Sequence, residues 1–158
     1  MNNLEISIRL AEYSDLAEMQ KMFVDTIKTI CTSDYDEQQI KAWVSGVENK
    51  ERWNEIMTKQ FVLIAQDADK IVGFITLASG CHIDLLYVHK NYQRKGIAKQ
   101  LLDEITNEAL RLRQTNLTSD VSKTAKAFFL RNGFKQLQEQ TNIRQGIELV
   151  NYKMNKRL

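Results

Sequence analysis

The sequence predicts a domain of the α/β class. Strand-like apolar runs and amphipathic helical segments follow one another along the chain in the order β-α-α-β-β-β-α-β-α-β-β. The chain has 158 residues, 43% of them hydrophobic, which is enough for one buried core without cross-links. It contains no proline, and its composition shows no repeat, low-complexity tract or linker. We therefore expect a single domain over residues 1–158.

One strand and two helices are predicted in the first part of the chain, and the second helix is followed by a further apolar piece. Ile6, Ile8 and Leu10 alternate with polar residues, as in a half-buried strand. A first helix begins near Ser14, a favoured N-cap residue, and its apolar stripe consists of Leu16, Met19, Met22, Phe23, Ile27 and Ile30. A second helix begins after residues 33–36, and its apolar positions are Ile40, Trp43, Val44 and Val47. A further piece carries Trp53, Ile56 and Met57.

Three aromatic residues, Tyr35, Trp43 and Trp53, fall within this helical region. Two interpretations stay open. The side chains line a substrate pocket, or they pack amphipathic helices against the sheet.

Three strands and a long helix are predicted in the middle of the chain. Residues 61–65 and 70–77 form a hairpin through Asp67, Ala68 and Asp69, and residues 81–88 form the next strand. Between residues 97 and 112, apolar residues recur at every third or fourth position among charged ones. This spacing is typical of a helix with one buried face.

The last part of the chain is predicted to contain a short strand, a helix and a hairpin. The strand covers residues 116–121, and the helix covers residues 123–131 and ends at Asn132 and Gly133. Residues 134–143 and 147–154 form the hairpin around residues 144–146.

The junction between residues 81–88 and the long helix carries a candidate binding site. Backbone N–H groups at a helix start have no intrahelical partner, and the helix dipole places partial positive charge there. Gly96 leaves the backbone open to a ligand, Ala98 is nearly as small, and Arg94 and Lys95 add positive charges. The turn is therefore predicted to bind phosphate oxygens. The alternative is an ordinary strand-to-helix turn.

Two motifs connect the chain to a known family. The junction has neither G-x-x-x-x-G-K-[ST] nor G-x-G-x-x-G, the signatures of two other phosphate loops. Its residues 93–98, QRKGIA, match Q/R-x-x-G-x-G/A, and residues 125–134 match A-x-x-F-[YF]-x-x-x-G-F. With the order of elements, these motifs resemble the GNAT superfamily of N-acetyltransferases over nearly the whole chain. Residues 140–154 and the three aromatic residues resemble a small bacterial subgroup of it whose acceptors are mostly unassigned.

This resemblance implies a fold and a cofactor site. The fold is a mixed, mostly antiparallel sheet of about seven strands with four to five helices, in which two central parallel strands splay apart. Acetyl-CoA, the acyl donor, would lie in the gap, with its pantetheine arm along Leu86, Tyr87 and Val88. The pyrophosphate would be held by Gln93, Arg94, Lys95, Gly96, Ile97, Ala98 and Lys99.

Two further cofactor contacts are weaker expectations of the same resemblance. Thr124 lies where many family members have an asparagine that contacts the cofactor. Lys126 is a candidate for a phosphate contact, and the alternative is a solvent-exposed helix lysine.

Candidates for the general base are His82 and Asp84. Deprotonating an alkyl amine at neutral pH costs roughly 4 to 5 kcal/mol, so a base or a water chain is expected near the acceptor. His82 aligns with a position where several family members carry a general-base glutamate, and imidazole titrates near neutrality. Asp84 shares its face if the strand is regular, whereas a bulge would change the faces. For either residue, the alternative is a hydrogen-bonded or solvent-facing side chain.

The general acid is less well defined, because Phe129 stands where many family members have a tyrosine. Tyr87, Tyr152 or water would have to protonate the leaving thiolate. The family implies a backbone N–H near Val88 as the oxyanion donor. Cys81 and His82 are neighbours on a strand and point to opposite faces, which disfavours a covalent route through a thiolate–imidazole pair.

Charge and cysteine content narrow the class of partner. The chain has 22 Lys+Arg and 20 Asp+Glu, a net charge of +2, which does not suggest a dedicated nucleic-acid or membrane binder. Its two cysteines, Cys31 and Cys81, have no metal-ligand spacing. Residues 1–5 lack signal-peptide features, and no apolar run reaches membrane-spanning length. We expect a cytoplasmic protein without a metal that acts on a small-molecule amine. A homodimer stays an open alternative.

These observations predict an acetyl-CoA-dependent N-acetyltransferase that acts on a primary amine by direct attack in a ternary complex. Two alternatives stay open. One is a non-catalytic acyl-CoA-binding module, which the absent tyrosine at residue 129 favours. The other is an acetyltransferase for a protein N-terminus or aminoacyl-tRNA, and the near-neutral charge disfavours tRNA.

Overall fold

The computed structural model describes residues 4–158 and confirms the predicted fold class. Seven strands form one sheet: β1 (Ile6–Leu10), β2 (Phe61–Asp67), β3 (Lys70–Ala78), β4 (His82–Val88), β5 (Asn116–Ser122), β6 (Lys135–Arg144) and β7 (Ile147–Arg157). Their order in the sheet is β1-β2-β3-β4-β5-β7-β6. The five α-helices are α1 (Leu16–Ile30), α2 (Glu37–Val44), α3 (Lys50–Lys59), α4 (Ile97–Arg111) and α5 (Lys126–Arg131).

Helices cover both faces of the sheet. On one face, α4 and α5 bury Ile97, Leu101, Ile105 and Phe129. On the other face, α1, α2 and α3 bury Met19, Ile27, Ile40, Trp53 and Ile56. The amphipathic periodicity of the sequence is satisfied because each helix turns its apolar stripe to the sheet.

A glycine of β3 brings α4 close to the sheet. A Cβ atom at Gly73 would lie 3.2 Å from Ile97 Cγ2, Leu101 Cδ1 and the carbonyl oxygen of Tyr87. Such contacts are tighter than ordinary packing, so a side chain at this position would push α4 outward. Gly73 therefore helps to hold the start of α4 beside the end of β4.

The sheet is divided at its centre. β4 and β5 run parallel and are paired through His82 with Thr118 and Ile83 with Ser119. Every other neighbouring pair is antiparallel. Beyond Ile83 and Ser119 the two strands diverge, and we call the resulting gap the fork. The splayed central strands implied by the resemblance are thus present.

Two helix starts differ from the sequence expectation. Tyr13–Asp15 forms a short 3₁₀ turn before α1, so Ser14 lies inside that turn and is not the N-cap. The last helix begins at Lys126, three residues after the predicted start. Its expected first turn is irregular because the Lys123 N–H donates to Tyr35 Oη at 3.0 Å and the Ala125 N–H donates to Ser122 Oγ at 3.1 Å.

Asp15 joins the first strand to the first helix. Its carboxylate accepts two bonds from the Arg9 guanidinium, each 2.8 Å long, and one from the Glu12 N–H at 2.7 Å. We expect Asp15→Ala to lower the free energy of unfolding by about 1–3 kcal/mol, measured by urea denaturation. Glu55→Ala is the control, because Glu55 forms a solvent-exposed pair with Lys59 that should contribute well under about 1 kcal/mol. Equal effects of the two variants would contradict the assignment.

The Asp15 contribution should also depend on pH. The hydrogen bond from Arg9 is the main cause that holds the pKa of the Asp15 carboxyl below its usual range. A depressed carboxyl pKa stabilises the fold above the unfolded-state pKa of about 3.9, and this stabilisation is lost as the pH falls through the folded-state pKa. The difference between wild type and Asp15→Ala should therefore shrink as the pH falls below about 4.

Candidate functional site

A cavity of ≈ 840 Å³ occupies the fork and continues to the start of α4. Its strand walls are residues 83–88 of β4 and 119–122 of β5. The helical side contributes residues 96–98 and, from the segment that contains α5, residues 124, 125, 127–129 and 131. The opposite side is formed by Thr26, Ile30 and Cys31 around the end of α1 and by Trp43 of α2. This volume is in the range that holds a small ligand or cofactor.

The edge of β4 inside the fork has main-chain groups without a strand partner. The N–H of Leu85 donates to Thr76 Oγ1 at 3.0 Å and that of His89 to the Val72 carbonyl at 2.8 Å, so both are directed toward β3. Strand alternation then directs the N–H groups of Leu86 and Val88 into the fork. Within residues 4–158, β5 does not pair with this part of β4. An extended ligand can therefore add to β4 as a strand would.

The carbonyl of Val88 is held at the top of this edge. It accepts hydrogen bonds from Gln93 Nε2 at 2.6 Å and from Thr26 Oγ1 at 3.3 Å. The Gln93 side chain thus ties the strand end to the turn that precedes α4. Gln93 and Val88 were both predicted as site residues, and both line the cavity.

Asp84 lies at a β-bulge. Ile83 pairs with Leu77 and Leu85 pairs with Thr76, so Asp84 is the extra residue on β4. Its Oδ1 accepts from Arg52 Nη2 at 2.9 Å and its Oδ2 from Gln60 Nε2 at 2.8 Å. The side chain is 16% exposed and lines the cavity just beyond the last β4–β5 pair.

His82 does not reach the cavity wall. Its Nδ1 lies 2.7 Å from Thr118 Oγ1, and its Nε2 lies 3.8 Å from Asp120 Oδ2. Asp120, which the sequence did not single out, does line the cavity. It also accepts a hydrogen bond from Gln140 Nε2 at 2.8 Å. The structure therefore brings Asp84 and Asp120 to the apex of the fork and leaves His82 behind Asp120.

The start of α4 is open to a ligand. Gly96 is its N-cap with a φ of +80°, and no side chain caps the helix. A Cβ built on Gly96 would have no atom of the described chain within 4 Å. The free N–H groups of the first turn and the Arg94 side chain therefore border space that a phosphate would fit.

Two lysines of this turn do not line the cavity. The Lys95 ammonium lies 5.9 Å from the centroid of the Tyr92 ring, and Lys99 Nζ lies 2.8 Å from Asp103 Oδ2. Their sequence position near the turn does not determine where such long side chains end.

Of the predicted site residues near α5, one lines the cavity and two do not. Thr124 lines the cavity, and its hydroxyl donates to Asp34 Oδ2 at 2.8 Å. The Lys126 ammonium instead lies 4.1 Å from the centroid of the Tyr152 ring, on the face covered by α4 and α5. Neither Lys126 nor Tyr152 lines the cavity.

Tyr87 is the tyrosine that lies at the deeper part of the site. Its ring packs against Phe23, with centroids 5.2 Å apart, and it lines the cavity. Burial raises the pKa of its phenol above the usual range. The phenol therefore keeps its proton at neutral pH and can donate a hydrogen bond.

The three aromatic residues of the helical region differ in position. Trp43 lines the cavity. Tyr35 and Trp53 are 5% and 3% exposed and belong to the core. Tyr35 Oη donates to the Val150 carbonyl at 2.7 Å, which ties the helical region to β7.

The charged residues of the cavity wall are separated by sign. Within the described chain they are Asp84 and Asp120 on the strands and Arg94 and Arg131 on the helical side. The carboxylates follow the last paired residues of β4 and β5, at the apex of the fork. The site thus favours a cation at the apex and an anion beside α4 and α5.

Comparison with known proteins agrees with this geometry. Residues 31–156 match the family described as Acetyltransferase (GNAT) domain. The chain is 32% identical over 154 residues to the uncharacterised N-acetyltransferase YafP of Escherichia coli strain K12, covering 98% of this chain and 96% of that protein. It also resembles a crystal structure of a GCN5-related N-acetyltransferase (Aminotransferase, Class-II) from Rhodopseudomonas palustris, with a TM-score of 0.94, 30% identity and coverage of 100% and 99%.

A more distant structure shares the fold. The PaiA N-acetyltransferase of Thermoplasma acidophilum, solved in complex with coenzyme A, has a TM-score of 0.79 and 21% identity, with 98% of this chain and 100% of that chain covered.

The forked sheet and the open helix start define an acyl-CoA-dependent acyltransferase. The family match makes the assignment specific: the chain belongs to the GNAT superfamily and is an N-acetyltransferase with acetyl-CoA as donor. Among residues 4–158, no helix combines the length and apolarity needed to cross a bilayer. In the same range, no three His, Cys, Asp or Glu side chains are grouped to hold a metal ion.

Proposed function

We propose that residues 1–158 act as one domain that transfers the acetyl group of acetyl-CoA to a primary amine by direct attack in a ternary complex. The observation that carries this proposal is the fork, in which the free edge of β4 leads to the uncapped start of α4. Acetyl-CoA supplies the activated acetyl thioester. The structures of PaiA with coenzyme A and of YncA of Salmonella typhimurium with acetyl-CoA, both of the same fold, support acetyl-CoA as the donor.

The proposed donor site follows the cavity wall. The main chain of Leu86, Tyr87 and Val88 pairs with the pantetheine arm, and the Leu86 and Val88 N–H groups supply donors. The diphosphate is held by the first N–H groups of α4 together with Gln93, Arg94, Gly96, Ile97 and Ala98, and Thr124 contacts the cofactor from the α5 side. We leave out Lys95, Lys99 and Lys126, because their ammonium groups lie against Tyr92, Asp103 and Tyr152.

The acceptor enters at the acidic apex. An alkyl amine with a pKa of about 10.4 arrives protonated, and Asp84 and Asp120 attract that cation. Asp84 then takes a proton directly or through one water, which frees the nitrogen to attack the thioester. We assign this role to Asp84 rather than His82, because Asp84 lines the cavity and His82 is bonded to Thr118 outside it.

The positions and environments of the two cysteines favour direct attack of the amine on the thioester. Cys81 does not line the cavity. Cys31 does, but burial raises the pKa of its thiol, so it is poorly suited to act as a nucleophile. An acetyl-cysteine intermediate therefore has no suitable residue in the described chain.

The test of the proposed function is acetyl-CoA-dependent thiol release over a panel of primary amines, with the N-acetyl products identified by mass spectrometry. We expect release that requires an amine. A protein that binds acetyl-CoA and acetylates no amine, peptide or tRNA would contradict the proposal.

Tyr87 is the proposed proton donor to the leaving thiolate. Tyr87 lines the cavity, whereas Tyr152 does not and lies on the opposite face of the sheet. We expect Tyr87→Phe to lower kcat by about 10- to 100-fold with little change in the dissociation constant of acetyl-CoA. Tyr152→Phe is the matched control and should stay within about twofold of wild type. A wild-type rate for Tyr87→Phe would contradict this role and indicate that water protonates the leaving thiolate.

A further inference from the structure

Two side chains from the region of α3 bind the proposed base without lining the cavity themselves. Arg52 Nη2 donates to Asp84 Oδ1 at 2.9 Å, and Gln60 Nε2 donates to Asp84 Oδ2 at 2.8 Å. Asp84 belongs to the cavity wall, whereas neither donor does. An effect of Arg52 or Gln60 on the reaction is therefore exerted through Asp84.

Strand pairing does not by itself fix the side chain of Asp84. In the pairing of β4 with β3, the register moves from Ile83 directly to Leu85, so the bulged residue between them has no partner. On the other side, the pairing of β4 with β5 ends at Ile83. A bulge interrupts the ladder and changes the direction of a side chain. Within residues 4–158, the carboxylate is held by its hydrogen bonds to Arg52 and Gln60.

The helix that supplies both donors is anchored to the body of the protein. Trp53 and Ile56 of α3 are buried, and Trp53 Nε1 donates to the Gly46 carbonyl at 3.1 Å. Arg52 lies in the first turn of α3, and Gln60 directly follows its last residue. Because eight residues span about two turns of an α-helix, both side chains project from the same side of α3. A packed helix of this kind is a rigid support for a functional group.

The amide of Gln60 is oriented by Asp84. Its Oε1 is buried and has no hydrogen-bond partner within residues 4–158, while its Nε2 donates to the carboxylate. A buried acceptor without a donor is unfavourable and uncommon in folded proteins. Stability at the end of α3 does not account for this arrangement, whereas a requirement for a donor at Asp84 does.

We propose that Arg52 and Gln60 are positioning residues that hold the ionised carboxylate of Asp84 in the orientation that accepts a proton from the acceptor amine. The inference rests on the proposed role of Asp84 as the base. An ionised carboxylate has about four lone-pair sites, so two hydrogen bonds leave sites free for a proton. Proton transfer requires hydrogen-bond reach to the nitrogen or to one water, so a carboxylate that rotates freely is a poorer base.

The test measures kcat and KM of variants with the primary amine that gives the fastest thiol release in the acceptor panel. We expect Arg52→Gln and Gln60→Met each to lower kcat by about 10- to 100-fold and to leave the dissociation constant of acetyl-CoA unchanged. Arg52→Gln should not raise the KM of the amine, because removing a positive charge near the apex does not weaken the attraction of a cation. Arg52→Lys keeps the charge and should recover part of the lost rate.

Lys59→Gln is the matched control. It removes the same charge from the same helix, but Lys59 Nζ lies 3.5 Å from Glu55 Oε1 in an exposed pair. Lys59→Gln should therefore keep the wild-type kcat.

A double-mutant cycle separates positioning from stability, because Arg52 also neutralises a carboxylate that is largely buried. A residue that acts through Asp84 loses its effect once the carboxylate is gone, so Arg52→Gln should change kcat by less than about twofold in the Asp84→Asn background. An equal loss in both backgrounds, as a structural role predicts, would overturn the inference while the base stands. A wild-type kcat in Arg52→Gln and Gln60→Met would overturn it as well. If Asp84→Asn alone keeps the wild-type rate, the proposed base fails, and the inference fails with it.

Discussion

Gly96→Glu is expected to abolish acetyl-CoA binding. The new carboxylate would lie at the uncapped start of α4, where the proposed site holds a diphosphate and where open space surrounds Gly96. The carboxylate would cap the free N–H groups and repel the diphosphate. We expect calorimetry to give an acetyl-CoA affinity lowered by more than about 100-fold, with α4 still folded.

Gly146→Glu is a closely matched control. Gly146 has a φ of +75°, compared with +80° for Gly96, and a Cβ on either glycine would have no described atom within 4 Å. The two substitutions therefore impose similar backbone strain and add the same charge, but Gly146 lies in the β6–β7 turn. Gly146→Glu should bind acetyl-CoA as wild type does. Gly96→Ala adds strain without charge and should lose less affinity than Gly96→Glu. An unchanged acetyl-CoA affinity of Gly96→Glu would contradict the proposal that the diphosphate binds at the start of α4.

Asp84→Asn is expected to lower kcat by about 10²- to 10⁴-fold, the usual contribution of a positioned general base. The amide retains the size of the side chain and can still accept a bond from Arg52 or Gln60, so acetyl-CoA affinity should stay near that of wild type. The acetylation rate should also lose the low-pH limb that reports protonation of the base. An amine identified in the acceptor panel is the substrate for this measurement.

Two comparison variants make the Asp84 result specific. Asp69→Asn removes a carboxylate from the exposed β2–β3 turn and should not change the rate. His82→Ala should keep the low-pH limb, because His82 lies behind Asp120 and outside the cavity wall. Loss of that limb in His82→Ala, with Asp84→Asn unaffected, would transfer the role of base to His82.

Local sequence signals predict much of the fold. Two elements, β1 and α4, are predicted correctly because the spacing of apolar residues along neighbouring positions indicates both the type of element and its buried side. In β1 these residues are Ile6, Ile8 and Leu10. Gly96 is found by its motif, and its left-handed conformation at the start of α4 is one that favours glycine. These features depend on a few adjacent positions.

The site depends on contacts between distant segments, which one sequence does not display. Beside the bulge at Asp84, the Leu85 N–H donates to the hydroxyl of Thr76 in the neighbouring strand β3. Asp120 reaches the apex only through the parallel pairing of β4 and β5. Long side chains are equally hard to place from sequence. Lys126 and Arg131 are five residues apart on the same short helix, yet the first lies on Tyr152 and the second lines the cavity.

A crystal structure with acetyl-CoA bound tests the central claim most directly. We predict density for the pantetheine arm in the fork, hydrogen-bonded to the main chain of Leu86 and Val88. The diphosphate should lie on the N–H groups of Ile97 and Ala98, and the thioester should lie near Asp84. Density for acetyl-CoA elsewhere on the protein, or a fork closed by pairing of β5 with residues 84–88, would contradict the account.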